Sequence, residues 1–89
     1  DEFPPGRYAE TMTVSAYILV QSEVGSASDV AHAAKEVPGV VFVDAITGPY
    51  DVLVKVEAPT MDDLGKKIVS DVQKIHGITR TLTCPVVNL

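Results

Sequence analysis

The chain has 89 residues, a formal net charge of −5 and a hydrophobic fraction of 46%, of which little is aromatic. This length fits one domain, and the composition requires a core of aliphatic side chains. The seven basic residues are dispersed, so the sequence offers no cationic patch for nucleic acid or for an anionic membrane. No apolar run approaches the roughly 20 residues of a membrane-spanning helix. The single cysteine and the absence of a secretory leader predict a cytoplasmic protein.

The first thirteen residues differ from the rest, because they are rich in proline and polar side chains and show no apolar period. Chain termini are usually poorly ordered unless they pack against the domain. We therefore expect a flexible extension over residues 1–13 and a folded domain over residues 14–89. The alternative is an arm that docks on a neighbouring molecule through Phe3 or Tyr8.

The first half of the domain predicts a strand followed by a helix. Residues alternate along Val14–Gln21, with large apolar groups on both faces of the strand. A helix begins after Ser26 or Ser28, either of which can cap it, and runs to about Val37. It ends at Pro38-Gly39, a pair that stops helices.

The second half predicts strand, strand, helix and strand. Two β-branched runs, Val40–Thr47 and Asp51–Glu57, flank a glycine-proline turn. Thr60 is placed to cap the second helix, which Gly77 ends before a last strand over Ile78–Val87. The apolar stripe of this helix recurs at three and four residues: Met61, Leu64, Ile68, Val72 and Ile75. The last strand alternates between Ile78, Leu82, Cys84 and Val86 on one face and Thr79, Thr81 and Thr83 on the other.

The order β-α-β-β-α-β predicts an α+β, ferredoxin-like sandwich with a four-stranded antiparallel sheet and two helices on one face. The other face would expose several apolar residues, among Tyr17, Leu19, Val41, Val43 and Leu53. Such a patch exceeds what a soluble monomer usually exposes. We therefore expect a homodimer that forms through the sheet face.

Few residues suggest catalysis. Cys84 falls in a predicted strand without a histidine nearby in sequence, which is typical of a small buried hydrophobe. His32 and His76 have no ligand neighbour at a metal-binding spacing, and no glycine-rich phosphate loop is present. We therefore predict no catalytic residue, no metal site and no cofactor.

The most informative polar residues lie in the turn Thr47–Asp51 and on the last strand. Tyr50 and Asp51 stand at the end of the hairpin, where a carboxylate can face an ammonium group. Hydroxyl groups of the last strand can face the carboxylate of the same ligand; they belong to Thr79, Thr81 and Thr83. The alternatives are that Asp51 completes the turn and that the threonines stabilise the sheet. The residues alone leave both interpretations open.

Several of these segments resemble, in order and spacing, the effector-binding (RAM) domain of the Lrp/AsnC family of transcriptional regulators. The resemblance covers residues 14–89. The segments that carry it are Val37-Pro38-Gly39-Val40, Thr47-Gly48-Pro49-Tyr50-Asp51-Val52, Gly77-Ile78-Thr79-Arg80-Thr81 and Thr81-Leu82-Thr83. The glycine-then-aspartate turn is the most specific of these.

The resemblance implies dimers that pair through their sheets, assemble into rings, often octamers, and bind amino acids in the clefts between dimers. It implies that Gly48, Tyr50 and Asp51 frame the effector, with Thr81 and Thr83 as secondary candidates. Typical members also carry an N-terminal helix-turn-helix of about fifty to sixty residues, for which residues 1–13 are too short. The expectation is a stand-alone RAM protein that makes no direct contact with nucleic acid. It would sense amino acids itself or co-assemble with full-length regulators.

Two other functions stay open. A cofactor-free enzyme of the dimeric α+β barrel type can share this fold, since fold does not determine function. A purely structural assembly partner would leave its clefts empty. A pocket inside one subunit with a titratable group would favour the enzyme, and an interface pocket at Tyr50 and Asp51 would favour the sensor.

Overall fold

The computed structural model describes residues 13–88 and contains the strands and helices in the predicted order. The expected extension therefore lies outside the described residues, apart from Thr13. The elements are β1 (Val14–Ser22), α1 (Ala27–Lys35), β2 (Val40–Ala45), β3 (Val52–Ala58), a second helical stretch, and β4 (Ile78–Pro85). Ser26 precedes α1 without a capping hydrogen bond from its side chain, in contrast to the expected cap.

The second helical stretch consists of α2 (Met61–Asp63), a π-helical segment (Leu64–Val69) and α3 (Ser70–Gln73). Thr60 caps it as predicted, because its Oγ1 accepts a hydrogen bond of 3.0 Å from the Asp63 N–H. Leu64, Ile68 and Val72 are buried, but Met61 is exposed, so its predicted place on the stripe is wrong. Met61 is the first residue of the helical stretch, where fewer side chains surround it.

The four strands form one antiparallel sheet in the order β2-β3-β1-β4. Both helices pack on the same side of this sheet, which confirms the ferredoxin-like α+β fold. The covered face contributes fully buried aliphatic side chains from the two central strands: Ala16, Ile18 and Val20 of β1, and Val52, Val54 and Val56 of β3. They form one core with the buried residues of the helices.

A β-bulge interrupts β2 between Val40 and Phe42. Val40 lies opposite Val56 and Val43 opposite Val54, so both face the helices, and Val43 packs against the core. The prediction that Val43 belongs to the exposed set is therefore wrong. The extra residue of a bulge reverses the alternation that a regular strand would show, and Phe42 takes the uncovered face instead.

A second bulge lies between β1 and β4, where Ser22 is opposite Ile78 but Gln21 is opposite Arg80. Thr79 is the extra residue. Ile78 therefore turns toward the core and no longer shares a face of the strand with Leu82 and Cys84. The predicted common face for these three residues is wrong for the same reason as in β2. Cys84 is exposed, in contrast to its expected burial, because β4 is an edge strand and no helix covers this side.

We call the uncovered side of the sheet the open face. The strand register places two groups of residues on this side. The largely apolar group, with one lysine, is Tyr17, Leu19, Phe42, Leu53, Lys55, Leu82 and Cys84, and the polar group is Ser15, Gln21, Asp44, Glu57 and Arg80. Tyr17 meets Phe42 edge to face with ring centres 6.4 Å apart, and Lys55 Nζ lies 5.0 Å from the centre of the Tyr17 ring. Tyr17, Leu19 and Leu53 thus lie where the sequence predicted them.

Within residues 13–88, no helix combines the length and the apolar character that crossing a membrane requires.

Candidate functional site

The turn between β2 and β3 stands at one end of the sheet. The Ile46 N–H donates a hydrogen bond of 2.9 Å to the Asp51 carbonyl and closes it. Gly48 has a φ of +133°, yet a Cβ at this position would meet no atom within 4 Å. The backbone conformation, and not a lack of space, therefore favours glycine here. The surface beside Gly48 is open to a ligand.

The end of β1 holds this turn through several hydrogen bonds. Gln21 Nε2 donates to the Pro49 carbonyl at 3.1 Å, and the Asp51 N–H donates to the Val20 carbonyl at 2.8 Å. The Ser22 N–H donates to Asp51 Oδ2 at 2.8 Å, and the Ser22 hydroxyl donates to the same oxygen at 3.3 Å. The Asp51 side chain therefore has a structural role, but it holds the turn to β1, 29 residues away along the chain, and the turn interpretation did not anticipate this contact.

These hydrogen bonds involve only one of the two carboxylate oxygens of Asp51. Among residues 13–88, Asp51 Oδ1 accepts no hydrogen bond, and no lysine or arginine forms an ion pair with the group. Asp51 and its neighbour Tyr50 are both half-buried. The turn thus presents a carboxylate that Ser22 orients, and its second oxygen can accept a hydrogen bond from an ammonium group.

Thr81 and Thr83 lie elsewhere in the chain. They are opposite Val20 and Ile18, on the helix-covered side of β4. Because β1 separates β4 from β3, they are displaced from the turn by two strand spacings, or about 10 Å. Thr81 Oγ1 accepts a hydrogen bond of 3.1 Å from Gln73 Nε2. Gly48, Tyr50 and Asp51 share one turn because they are neighbours in sequence. A ligand role for these residues and for the two threonines stays a prediction.

The sequence did not single out Gln21 and Ser22, which position the turn. Their partners are 28 and 29 residues away along the chain. The available signal is a polar pair that ends an otherwise apolar strand. Thr79 belongs to the same network, since its hydroxyl donates to the Gln21 carbonyl at 3.1 Å.

Residues 13–88 contain no group of three histidine, cysteine or acidic residues arranged to hold a metal ion. His32, His76 and Cys84 are all exposed, and each lies on a different element or loop.

The protein-family model described as the Lrp/AsnC ligand binding domain matches residues 15–88. An uncharacterized HTH-type transcriptional regulator of Pyrococcus furiosus is 29% identical over 72 residues, which are 78% of this chain and 48% of that protein. The chain thus spans about half the length of the curated relatives it matches.

Two solved structures share the fold. FFRP-DM1 superposes with a TM-score of 0.77 at 31% identity, and the match covers 83% of this chain and 99% of that one. A Neisseria meningitidis transcriptional regulator in complex with L-Met superposes with a TM-score of 0.75 at 19% identity, and the match covers 99% and 57%. At that lower identity the likeness concerns the fold alone.

Proposed function

The chain belongs to the Lrp/AsnC ligand-binding domain family, and we propose that it binds a free amino acid at the Gly48–Asp51 turn and responds by changing its assembly. The family consists of regulatory ligand-binding domains, and the relatives are transcriptional regulators. The chain is therefore a binding module and not an enzyme.

The observation that carries the amino-acid proposal is the state of the Asp51 carboxylate. The Ser22 N–H fixes one oxygen, while the other has no hydrogen-bond partner among residues 13–88. An α-ammonium group has three donors and a positive charge, so it complements this oxygen. The L-Met complex of a protein with the same fold supports this ligand class.

The remaining contacts would come from Tyr50, from the open backbone at Gly48 and, in an assembly, from a neighbouring subunit. Thr81 and Thr83 are displaced from the turn by two strand spacings within one chain. We therefore propose that either threonine contributes only across a cleft between subunits.

The open face supports the assembly part of the proposal. Phe42 remains 39% exposed and Leu82 45% exposed, beside Tyr17, Leu19 and Leu53 on the same side of the sheet. Contiguous apolar surface of this kind marks an interaction site. We propose a homodimer that buries the two open faces against each other, and rings of dimers, as large as octamers, around the turns.

We further propose that the domain makes no direct contact with nucleic acid. Its net charge of −5 disfavours binding to phosphates. Its relatives are HTH-type regulators about twice as long as the matched region. Co-assembly with such a full-length regulator, through the same open face, would transmit the effect of the ligand to DNA.

A thermal-shift screen of the twenty common amino acids tests the proposal. A ligand at about 100 times its dissociation constant stabilises a protein by roughly 2.7 kcal/mol. For a domain of this size, such a stabilisation raises the melting temperature by several degrees or more. The decisive variant is Asp51→Asn, which keeps an acceptor for the Ser22 N–H but removes the negative charge. We expect it to fold and to lose the ligand-induced shift.

The matched control is Asp62→Asn, which removes one negative charge from an exposed position of α2. It should respond to the ligand as the natural sequence does. Equal loss in both variants would reject the Asp51 site. A folded oligomer that responds to none of the amino acids would instead indicate an assembly partner or another ligand class.

A further inference from the structure

A cleft of about 450 Å³ opens at the other end of β3, away from the Asp51 turn. Asp51 precedes β3 and Ala58 ends it, so at about 3.3 Å per residue the two sites are roughly 23 Å apart. The loop after α1, the end of β3 and the second helical stretch line the cleft. It is therefore separate from the proposed amino-acid site. Asp63, Lys67 and Asp71, which line it, have side chains that are 39%, 76% and 50% exposed, so the cleft does not enclose the titratable group that would favour an enzyme.

The cleft combines apolar walls with a few charged groups. Pro38, Ala58, Pro59 and Ile68 supply the apolar surface. Its volume falls within the range of about 300–1,000 Å³ that small-molecule pockets occupy. Such pockets bind the apolar body of a ligand along their walls and orient it with a small number of polar groups.

The charged groups favour a cation. Asp63 and Asp71 lie four residues on either side of Lys67, and all three line the cleft. Lys67 Nζ is 3.6 Å from Asp63 Oδ1, in an exposed pair that contributes little stability. Asp71 Oδ1 lies 3.9 Å from Lys74 Nζ, in a second exposed pair. Glu57 lines the cleft as well, so the lining contains three acidic residues and one basic residue, and the charge beside the apolar wall is negative.

The backbone around the cleft has two unusual features. Lys67 and Ile68 belong to the π-helical segment, a rare geometry that concentrates at functional sites. Gly39 has a φ of +98°, and a Cβ at this position would collide with the Ile68 side chain. The loop after α1 therefore reaches the helix only because residue 39 is glycine.

We propose that this cleft is a second binding site, for an aliphatic amine whose ammonium group pairs with Asp71 and Asp63 while its hydrocarbon chain lies on Pro38, Ala58 and Ile68. The ligand competes with Lys67 for Asp63 and with Lys74 for Asp71, so the two lysines set an upper limit on the affinity. This site goes beyond the amino-acid response and does not depend on it.

The test is an NMR titration of the 15N-labelled protein with three probes. Pentylamine carries both the charge and the chain, pentanol carries only the chain, and methylamine carries only the charge. Pentylamine should perturb the amides of Gly39, Ala58 and Ile68, and the other two should bind at least about tenfold more weakly. Equal binding of pentanol, or perturbations centred on Gly48 and Asp51, would overturn the proposal.

Matched variants separate the site from general attraction to an acidic protein. Asp71→Asn should weaken pentylamine about three- to fivefold, the change expected for the loss of one exposed ion pair. Asp62→Asn makes the same change in net charge outside the cleft lining and should leave the affinity within about twofold. Equal weakening by both would overturn the proposal.

Two lysine variants test the proposal through an expected gain in affinity for pentylamine. Lys67→Gln removes the competitor for Asp63, so pentylamine should bind several-fold more tightly. Lys66→Gln makes the same change in net charge at a position that pairs with Asp62 and does not line the cleft. It should bind pentylamine as the natural sequence does. Weaker binding in Lys67→Gln would contradict the proposed arrangement.

Discussion

The two faces of the sheet are built from the same strands but serve different purposes. Ile18 is fully buried against the helices, while its neighbour Leu19 lies half-buried on the open face. The covered face is aliphatic throughout β1 and β3, whereas the open face mixes aromatic rings, leucines and the ammonium of Lys55. The comparison teaches that one face stabilises the single chain, while the other leaves apolar side chains exposed in it.

The two bulges make this division possible. In β2 the bulge turns Val40 and Val43 inward and leaves Phe42 and Asp44 outside. In β4 the bulge turns Ile78 inward while Leu82 and Cys84 remain outside. Without these extra residues the edge strands would present mismatched faces to their neighbours.

The largest effect is expected on the covered face. Ile18→Ala removes a side chain with no exposed surface, and such changes cost about 2–5 kcal/mol in the free energy of unfolding. For a domain of this size the melting temperature should fall by about 10 °C or more. Urea denaturation of the variant measures the loss, and a cost below about 1 kcal/mol would contradict the assignment of the core.

On the open face, Leu19→Asp should act mainly on assembly. An unpaired carboxylate in an apolar interface is strongly unfavourable, so the variant should be a folded monomer at micromolar concentration. Light scattering gives the mass in solution. The matched control is Val24→Asp, which introduces the same charge at a fully exposed valine in the turn after β1. If Leu19→Asp retains the oligomer of the natural sequence, the open face is not the dimer interface.

A smaller effect on stability is expected at the turn between β2 and β3, which lies at one end of the sheet. Asp51→Ala removes the acceptor of the Ser22 N–H, a half-buried group, and should cost about 1–2 kcal/mol. Asp51→Asn should cost less, because the amide oxygen can still accept this bond. Urea denaturation of both variants measures the difference. Equal and negligible costs would mean that Ser22 does not hold the turn in solution.

The sequence predicted the covered face better than the open one, for a physical reason. Periodic apolar residues, the Thr60 cap and the glycines at 39 and 77, both with a φ of +98°, determine where the elements begin and end. In Val40–Val43 every residue is apolar, so alternation cannot reveal which of them faces the helices. Bulges and the π-helical segment depend on contacts with other elements, and local patterns do not specify those contacts.

The candidate site likewise has residues that the sequence identified and residues that it did not. Turn chemistry identified Tyr50 and Asp51, and the resemblance to the Lrp/AsnC family added Gly48. Their anchors on β1 were not predictable, because Ser22 and Asp51 meet only when β1 pairs with β3. The side of the sheet that Thr81 and Thr83 face likewise depends on how β4 pairs with β1. This pairing places both threonines on the helix-covered side.

The smallest effect is expected on the exposed side of the second helical stretch. Lys66 and Asp62 form an ion pair of 3.2 Å in which both side chains are largely exposed, at 76% and 72%. Pairs of this kind contribute about 0.2–0.5 kcal/mol and are screened by salt. Lys66→Gln should therefore change the urea midpoint only slightly, and the change should disappear in high salt. A cost above about 1 kcal/mol that persists in high salt would show that another molecule covers this side as well, and the contrast between one covered face and one open face would then need revision.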